Sequence, residues 1–445
     1  MHTTKPWDVK RFLELFTADP NFRNKVIVNP NQIIEKYGIR LKPSHIKDLW
    51  QESEHRLFEQ VSHASIDYKE WCNNRRKRAH YWLKELDQNT PLDFRDWRER
   101  QANRYATQAA DGFARRKRLL PFAIELSEGC SIGCKYCGLS AEPLKSVARY
   151  TSNKNGEEFN EILNILKSYI GPAGATGFLY WATDPFDNPD YERYLLDFRH
   201  VFSIPPQTTT AAWHKNIIRT QSFLEMRKSM HGTWDRFSIN TLNELDKIMS
   251  RFSSEELENV DLVLQNKESL KTKSCAGKAR NLLKDAQTAS IACVSGFLIN
   301  LTEKTIKLIS PCTDFDKWPL GYAIYAEADF KESTENIKLF IARCEKKIFA
   351  NSLDMTKNLK LRSEFIIHEN QRDEEVILTT DYASLCFNDK VEQAILKTIR
   401  GEATVLEILT STCKNLEINP GLVINAMNKL CQKGIFEHIP EPQIA

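Results

Sequence analysis

The sequence predicts an α/β protein with a helical N-terminal domain, a partial (βα)6-type barrel and a small winged-helix-like C-terminal domain. Three observations support this. Apolar residues recur at helical spacing up to about residue 118, and short apolar segments then alternate with amphipathic helical segments. Three helical patterns and a short apolar segment end the chain. We place the domains at residues 1–118, 119–349 and 350–445.

The N-terminal domain is predicted to be all-helical. Phe12, Leu13 and Phe16 lie on one helical stripe. Asp19 and Pro20 suit the cap and the first turn of a following helix. The first strand is therefore expected only after residue 119.

The central domain is predicted to contain a parallel sheet with helices between its strands. Buried strands are expected at residues 121–126, 177–181, 207–212, 236–240 and 260–265. Residues 290–325 alternate apolar and polar positions around a Thr-Glu-Lys turn, which predicts antiparallel hairpins. The span is too short for eight strand–helix units, so we expect a partial (βα)6 barrel that is open on one side.

The C-terminal domain shows three helical patterns, at residues 391–399, 405–413 and 420–430. Gly401 and Gly434 separate them, and residues 435–438 are predicted to form a terminal strand. This order is typical of winged-helix folds, which bind DNA or peptides.

Composition excludes several classes of protein. Of the 445 residues 41% are apolar, which excludes a disordered chain, and 62 Lys and Arg against 59 Asp and Glu give a net charge of +3. That balance argues against a protein that binds nucleic acid or anionic membranes through its overall charge. No apolar run approaches the length of a membrane span, and the first residues lack the core of a signal peptide. We expect a cytoplasmic protein.

Three of the eleven cysteines, Cys130, Cys134 and Cys137, fall within eight residues as CSIGCKYC. Three thiolates at this spacing can bind three irons of a 4Fe-4S cluster and leave the fourth iron open. Ferredoxins and structural zinc sites use four ligands, and no fourth Cys or His lies close by in the sequence. The loop follows the first predicted strand, where parallel sheets form ligand sites. The sequence therefore predicts one 4Fe-4S cluster.

The motif CSIGCKYCG after a first strand resembles the signature of the radical S-adenosylmethionine (SAM) superfamily. The resemblance implies that SAM binds the open iron and is cleaved to a 5′-deoxyadenosyl radical when an external donor of the flavodoxin or ferredoxin type reduces the cluster. It also places Tyr136 near the adenine of SAM.

The resemblance further implies SAM contacts at the ends of later strands. Where the superfamily has a Gly-Gly-Glu-like segment, this chain has Trp-Ala-Thr-Asp-Pro, so Thr183 and Asp184 are expected to bind the SAM amino group. Ser238 and Asn240 alternate on a predicted strand and are expected to reach the ribose or the carboxylate. The alternative for Thr183 and Asp184 is an ordinary Asp-Pro turn. The alternative for Ser238 and Asn240 is that their buried side chains hydrogen-bond to the backbone.

The segments LYWATDPFDNPDYE, CAGKARN, SGFLINLTEKTIKLISPC and WPLGY resemble peptide epimerases that mature ribosomally made natural products of the proteusin type. The resemblance extends over most of the chain. It implies conversion of L- to D-residues in a precursor peptide: the radical removes the α-hydrogen, and a cysteine returns a hydrogen atom from the opposite face.

The resemblance places the hydrogen donor at Cys386, in TDYASLCFND. A buried structural thiol is the alternative role for this residue. Four other cysteines compete for the donor role: Cys275, Cys293, Cys312 and Cys344. None of them forms a tight pair, which argues against a second cluster.

The implied partner is a precursor peptide with a leader. Residues 12–39 are similar to the leaders of such precursors, and the C-terminal domain is similar to domains that capture them, so either end is a possible docking site. Two other functions remain: a thioether-forming or C-methylating peptide maturase, and an iron–sulfur regulatory protein that binds DNA through its winged-helix-like tail. The net charge of +3 and the absence of a basic recognition helix count against the regulator.

Overall fold

The computed structural model describes residues 4–29, 34–50, 62–110, 119–230, 232–271, 273, 276–280, 282, 289–349, 353, 355, 357–370, 375–399 and 402–442. Within these residues the chain is a mixed α/β protein, as the sequence predicts. The predicted domain boundaries at 118 and 350 lie outside the described residues. None of the described helices combines the length and the apolar character needed to cross a membrane.

Before residue 119 the regular elements described are helices. The Asp19 carboxylate accepts a hydrogen bond of 2.8 Å from Asn21 N and so caps the second of them. The side chains of Phe12 and Leu15 on the first helix are fully buried. The helices are α1 (Pro6–Ala18), α2 (Pro20–Val28), α3 (Lys47–Trp50), α4 (His63–Asp87) and α5 (Leu92–Ala106), with single turns at Glu35–Tyr37 and Pro43–Ile46.

The larger central sheet has four strands. β1 (Leu120–Glu125) pairs in parallel with β7 (Val294–Asn300), in a register that sets Glu125 opposite Asn300. β8 (Thr305–Pro311) and β9 (Tyr322–Asp329) extend the sheet in antiparallel fashion, which confirms the predicted hairpins. A short antiparallel pair, β2 (Ser127–Glu128) and β3 (Ser146–Val147), follows β1.

A second central sheet consists of three parallel strands, β4 (Thr209–Thr210), β5 (Asp235–Ile239) and β6 (Val260–Leu264). Helix α1 covers the outer edge of this sheet, because Leu262 N donates a hydrogen bond of 3.0 Å to the Glu14 carboxylate. One backbone N–H at the free edge of β6 is therefore satisfied within the chain.

Phe178 lies beside β1, at the edge of the larger central sheet. This residue forms a single parallel bridge to Ala123, and Ile124 N donates to its carbonyl at 2.9 Å. The strand predicted at 177–181 is thus reduced to one bridge, because Ala182 N turns to the Glu125 side chain instead of a neighbouring strand. The six-stranded barrel stays a prediction.

The two faces of the central strands carry different clusters. Phe122 and Ile124 point into the main core beneath the helices, and Ala123 between them points to the other face. The covering helices are α6 (Asn155–Ile170), α7 (Tyr191–Phe202), α8 (Ile217–Lys228), α9 (Leu242–Arg251) and α10 (Glu335–Cys344). The inner cluster on the other face consists of Ala123, Phe178, Trp181, Ala292, Val294, Leu298, Ile309 and Tyr322.

The C-terminal region has its own core. Its strands are β10 (Asn358–Lys360), paired with β14 (Glu402–Thr404), and the antiparallel sheet β11 (Ile366–Asn370), β12 (Glu375–Thr379) and β13 (Ser384–Phe387). Its helices are α11 (Lys390–Thr398), α12 (Val405–Leu416) and α13 (Pro420–Gln432).

The terminal strand predicted at residues 435–438 is wrong. Ile435 is buried, and its carbonyl accepts one backbone hydrogen bond of 3.1 Å, from Arg362 N, without a strand ladder. The apolar pattern of this segment reflects burial against the C-terminal core rather than strand pairing. Assignment to the winged-helix class stays a prediction.

Candidate functional site

The three-cysteine loop leaves β1 through β2 and returns through β3. Its two ends are joined by a hydrogen bond of 2.8 Å from Cys130 N to the Glu142 carbonyl. Gly129 has a φ of +79°, and a Cβ at this position would lie 2.3 Å from the Pro143 carbonyl oxygen, so only glycine fits. Ala141 N donates to Cys137 Sγ at 3.4 Å. The backbone thus closes a loop around the thiols.

The loop brings the thiols into electrostatic range of one another. Burial raises the pKa of Cys130 to about 11 and that of Cys134 to about 12, and the charge of Cys137 adds to both shifts. In the described part of the chain no three His, Cys, Asp or Glu side chains already converge as a metal site. The three free thiols are the ligand type that an iron–sulfur cluster needs, and they lie on one loop. Their positions are not already those of cluster ligands.

Two residues outside the loop hold its tip. The Asp187 carboxylate accepts a hydrogen bond of 2.8 Å from Ser131 N and a second, short one from Ser131 Oγ. Lys215 Nζ also bonds Ser131 Oγ and lies 3.9 Å from Asp187. Sequence reasoning missed both residues, although Asp187 lies in the quoted segment LYWATDPFDNPDYE. The loop is anchored directly after its first cysteine.

Asp184 is held by hydrogen bonds within the protein, and its predicted contact with SAM stays a prediction. Its carboxylate is buried and accepts four hydrogen bonds of 2.6–3.1 Å. The donors are Phe186 N, Thr210 Oγ1, Ala211 N and Ala212 N. Because Ala211 and Ala212 donate to Asp184, the strand predicted at 207–212 shrinks to Thr209–Thr210. The carboxylate joins the end of the Phe178 segment to the end of β4.

The other predicted SAM contacts lie at neighbouring strand ends. Thr183 is half-buried next to Asp184. Ser238 is half-buried and alternates with the core residues Phe237 and Ile239, so it points to the inner face. Asn240 follows on the same alternation, and its backbone N donates to Glu244 at 2.7 Å.

The aromatic ring of Tyr136 lies on the cysteine loop. Lys273 Nζ lies 5.4 Å from the ring centroid, within the range of a cation–π contact. Burial lowers the pKa of Lys273. A cationic side chain thus faces the residue that the resemblance places near adenine.

Glu125, at the carboxyl end of β1, was not predicted. Its side chain is 8% exposed and accepts hydrogen bonds from Ala182 N at 2.9 Å and from Asn300 Nδ2 at 3.3 Å. Burial raises its pKa to about 7, against the effect of these two bonds. The only sequence signal was a carboxylate at the end of an apolar strand. Glu125 anchors the turn that carries Thr183 and Asp184.

The inner cluster lies beside the cysteine loop. Leu139, two residues after Cys137, packs against it, as do Tyr180 and Cys293. The Trp181 side chain, in the cluster itself, is buried, and its indole ring meets the Tyr322 ring edge-on at a centroid distance of 5.6 Å.

Cys386 is not gathered with these residues. It is exposed on β13 of the C-terminal sheet, opposite Ile377 on β12. Among the competitors, Cys312 and Cys344 are buried, Cys293 is half-buried, and Cys275 lies outside the described residues. The structure therefore brings Cys293, and not Cys386, to the inner cluster.

Comparison with known proteins gives a relative by sequence. No family model matches the chain. An uncharacterized protein, y4wI of Sinorhizobium fredii, is 34% identical over 348 residues, which cover 74% of this chain and 67% of that protein.

Among solved structures, BtrN in complex with AdoMet and 2-DOIA is similar over 45% of this chain and 76% of that chain. The identity is 10% and the TM-score is 0.31. This likeness is too low to define the fold or the ligand of the present chain.

Proposed function

The chain belongs to the family of y4wI of Sinorhizobium fredii, and we propose that it is a radical SAM enzyme that converts L- to D-residues in a ribosomally made peptide. The observation that carries the proposal is the anchored C-x3-C-x2-C loop at the carboxyl end of β1. Parallel strands place ligands at this end of a sheet. The resemblance of four further segments to peptide epimerases supports the choice of reaction.

In this proposal Cys130, Cys134 and Cys137 would hold one 4Fe-4S cluster. When bound, the cluster and SAM supply a 5′-deoxyadenosyl radical. Asp187 and Lys215 hold the loop in place through Ser131. The remaining tasks, which are binding SAM and orienting the peptide, fall to side chains on the inner face.

The residues proposed to contact SAM are chosen by where they lie in the fold. Thr183 follows the Phe178 segment, Ser238 and Asn240 lie at the carboxyl end of β5, and Tyr136 lies on the cysteine loop. The Asp184 carboxylate already accepts four hydrogen bonds from the protein, which stabilise the turn. Thr183 is therefore the better candidate to bind the SAM amino group. An external one-electron donor and a leader-bearing peptide complete the system.

The test uses the protein reconstituted anaerobically with iron and sulfide. Addition of SAM should change the electron paramagnetic resonance spectrum of the reduced cluster. With a candidate precursor peptide, in deuterated water, each D-residue formed should carry one deuterium. A cluster indifferent to SAM would overturn the proposal, and so would a zinc-only protein.

Other product masses point to the second enzymatic function. A gain of one methyl group, or a loss of two hydrogens without inversion, would replace the epimerase by a C-methylating or thioether-forming maturase. A triple Cys-to-Ser variant of Cys130, Cys134 and Cys137 is the control, because it should form neither 5′-deoxyadenosine nor a D-residue.

A further inference from the structure

We propose that Lys278 is a positioning residue that raises the reduction potential of the cluster by holding the Cys137 end of the cysteine loop. This inference rests on the proposed radical SAM function and deepens it. Lys278 lies in CAGKARN, one of the segments that resemble peptide epimerases, of which the structure describes residues 276–280.

Lys278 contacts the cysteine loop through both its backbone and its side chain. Its backbone N donates a hydrogen bond of 2.9 Å to the Cys137 carbonyl, and its Nζ donates one of 2.9 Å to the Ala141 carbonyl. Ala141 N in turn donates to Cys137 Sγ at 3.4 Å. Lys278 therefore holds the residue that carries the third thiol and also the residue that donates to that thiol.

The backbones of the loop and of the 276–280 segment lie directly against each other. Gly277 has a φ of +55°, and a Cβ at this position would lie 2.6 Å from the Gly138 carbonyl oxygen and 2.7 Å from that of Cys137. Such distances leave no room for a side chain. The position of Lys278 beside Cys137 is thus set by backbone packing, and the lysine side chain adds a second contact to it.

The 276–280 segment is itself fixed to the central domain. Gly277 N donates a hydrogen bond of 3.1 Å to the carbonyl of Pro319, in the segment WPLGY between β8 and β9. The side chains of Ala276 and Ala279 are 0% and 1% exposed. Two buried alanines and a backbone hydrogen bond give Lys278 a rigid support.

Two lysines bind the loop through Nζ, and they differ in their partners. Lys215 Nζ bonds Ser131 Oγ and lies 3.9 Å from the Asp187 carboxylate, which offsets its charge. Lys278 Nζ bonds a neutral carbonyl instead. The charge of Lys278 is therefore better able to act on a group bound by the thiols.

The expected consequence concerns the reduced state of the cluster. Hydrogen bonds to cysteine sulfur and nearby positive charge raise the reduction potential of an iron–sulfur cluster, because the reduced form carries one more negative charge. Lys278 supplies a positive charge and fixes Ala141, whose N–H donates to Cys137 Sγ. Lys278 should therefore make it easier for the external donor to deliver its one electron.

The test compares variants of the anaerobically reconstituted protein without SAM or peptide. Lys278→Met removes the side-chain bond and the charge, Lys278→Arg keeps a cationic donor, and Lys145→Met is the control. The Lys145 side chain is 63% exposed at the end of the same loop and pairs with Glu128 instead of the Cys137 end. Each cluster is titrated against potential and followed by electron paramagnetic resonance.

At the potential that reduces half of the wild-type clusters, the ratio of reduced to oxidised cluster should fall about fivefold in Lys278→Met. In Lys278→Arg and Lys145→Met the ratio should stay within about twofold of the wild-type value. An unchanged ratio in Lys278→Met would overturn the proposal. An equal fall in Lys145→Met would also overturn it, because any nearby positive charge would then have the same effect as the contact with the loop.

Gly277→Ala gives an independent check, because it keeps the lysine and forces the segment away from the loop. Its cluster should shift in the same direction as that of Lys278→Met, and a wild-type potential would count against the contact. Iron content and thermal midpoint show that each variant folds. If the wild-type protein itself binds no iron–sulfur cluster, the proposed function fails and this inference with it, whereas a cluster of unchanged potential in Lys278→Met overturns the inference alone.

Discussion

At the scale of single residues, two buried carboxylates at neighbouring strand ends differ in how many donors they receive. Asp184 accepts four hydrogen bonds and Glu125 accepts two, of which the longer is 3.3 Å. Burial raises the pKa of both groups, for Glu125 to about 7. Glu125 therefore changes charge near neutral pH while it holds the turn at Ala182.

Glu125→Gln should change how stability depends on pH. Since the folded-state pKa lies above the ordinary value, the wild-type carboxyl stabilises the fold below about pH 4.5 and loses that contribution as pH rises through about 7. Glutamine keeps an acceptor for Ala182 N without ionising. Relative to the wild-type protein, the free energy of unfolding of the variant should rise by about 2–3 kcal/mol between pH 5 and pH 8.

Urea unfolding of the cluster-free protein at both pH values measures this change. Glu128→Gln is the matched control, because the Glu128 side chain lies in the same segment and pairs with Lys145 at the surface. Its difference from the wild-type protein should not grow with pH in this way. A Glu125→Gln difference that is equal at pH 5 and pH 8 would contradict the raised pKa.

At the scale of elements, the cysteine loop depends on one close backbone approach. Gly129 and Gly133 both have positive φ, +79° and +62°, but only Gly129 meets backbone atoms where a Cβ would lie. Gly133 has nothing within 4 Å of that position. Comparing alanine variants of the two glycines therefore separates the cost of a positive φ from the cost of a clash between the new Cβ and the backbone.

Gly129→Ala should prevent the loop from closing, because the Pro143 carbonyl would have to move away from the new Cβ. After reconstitution the iron bound per chain should fall at least fivefold. Gly133→Ala carries only the strain of a positive φ, about 1 kcal/mol, and should bind nearly normal amounts of iron. Equal iron contents in the two variants would show that the approach to Pro143 does not shape the loop.

At the scale of the whole molecule, Arg362 joins the C-terminal region to helix α5. The residue is 2% exposed, and its guanidinium donates to the Arg104 and Gly434 carbonyls at 3.3 and 3.1 Å and to Thr107 Oγ1 at 2.6 Å. Burial lowers its pKa to about 10. These bonds connect three segments that are far apart in the sequence.

Arg362→Met should weaken this junction, because buried acceptors lose their donor. We expect a loss of about 3 kcal/mol in the free energy of unfolding and a separate, earlier transition of the C-terminal region. Lys360→Met removes a positive charge from an exposed neighbouring position and should cost less than about 0.5 kcal/mol. A single, unshifted urea transition for Arg362→Met would show that the junction contributes little.

The sequence determined those features that depend on neighbours along the chain. The cysteine spacing, the helices before residue 119, the antiparallel hairpins of 290–325 and the three C-terminal helices all follow from local periodicity and turn residues. Such patterns also indicated the inward direction of Ser238. They report which face of an element is apolar, but not which distant element covers it.

Tertiary structure decided what depends on contacts between distant segments. The parallel pairing of β1 with β7 joins residues about 170 positions apart, and it sets Cys293 at the inner face while Cys386 goes to another sheet. Likewise Asp184 is saturated by donors from Thr210 to Ala212, and the strand expected around Phe178 is reduced to one bridge. Hydrogen bonds and burial satisfy whichever groups the fold brings together, so side-chain type alone did not reveal these partners.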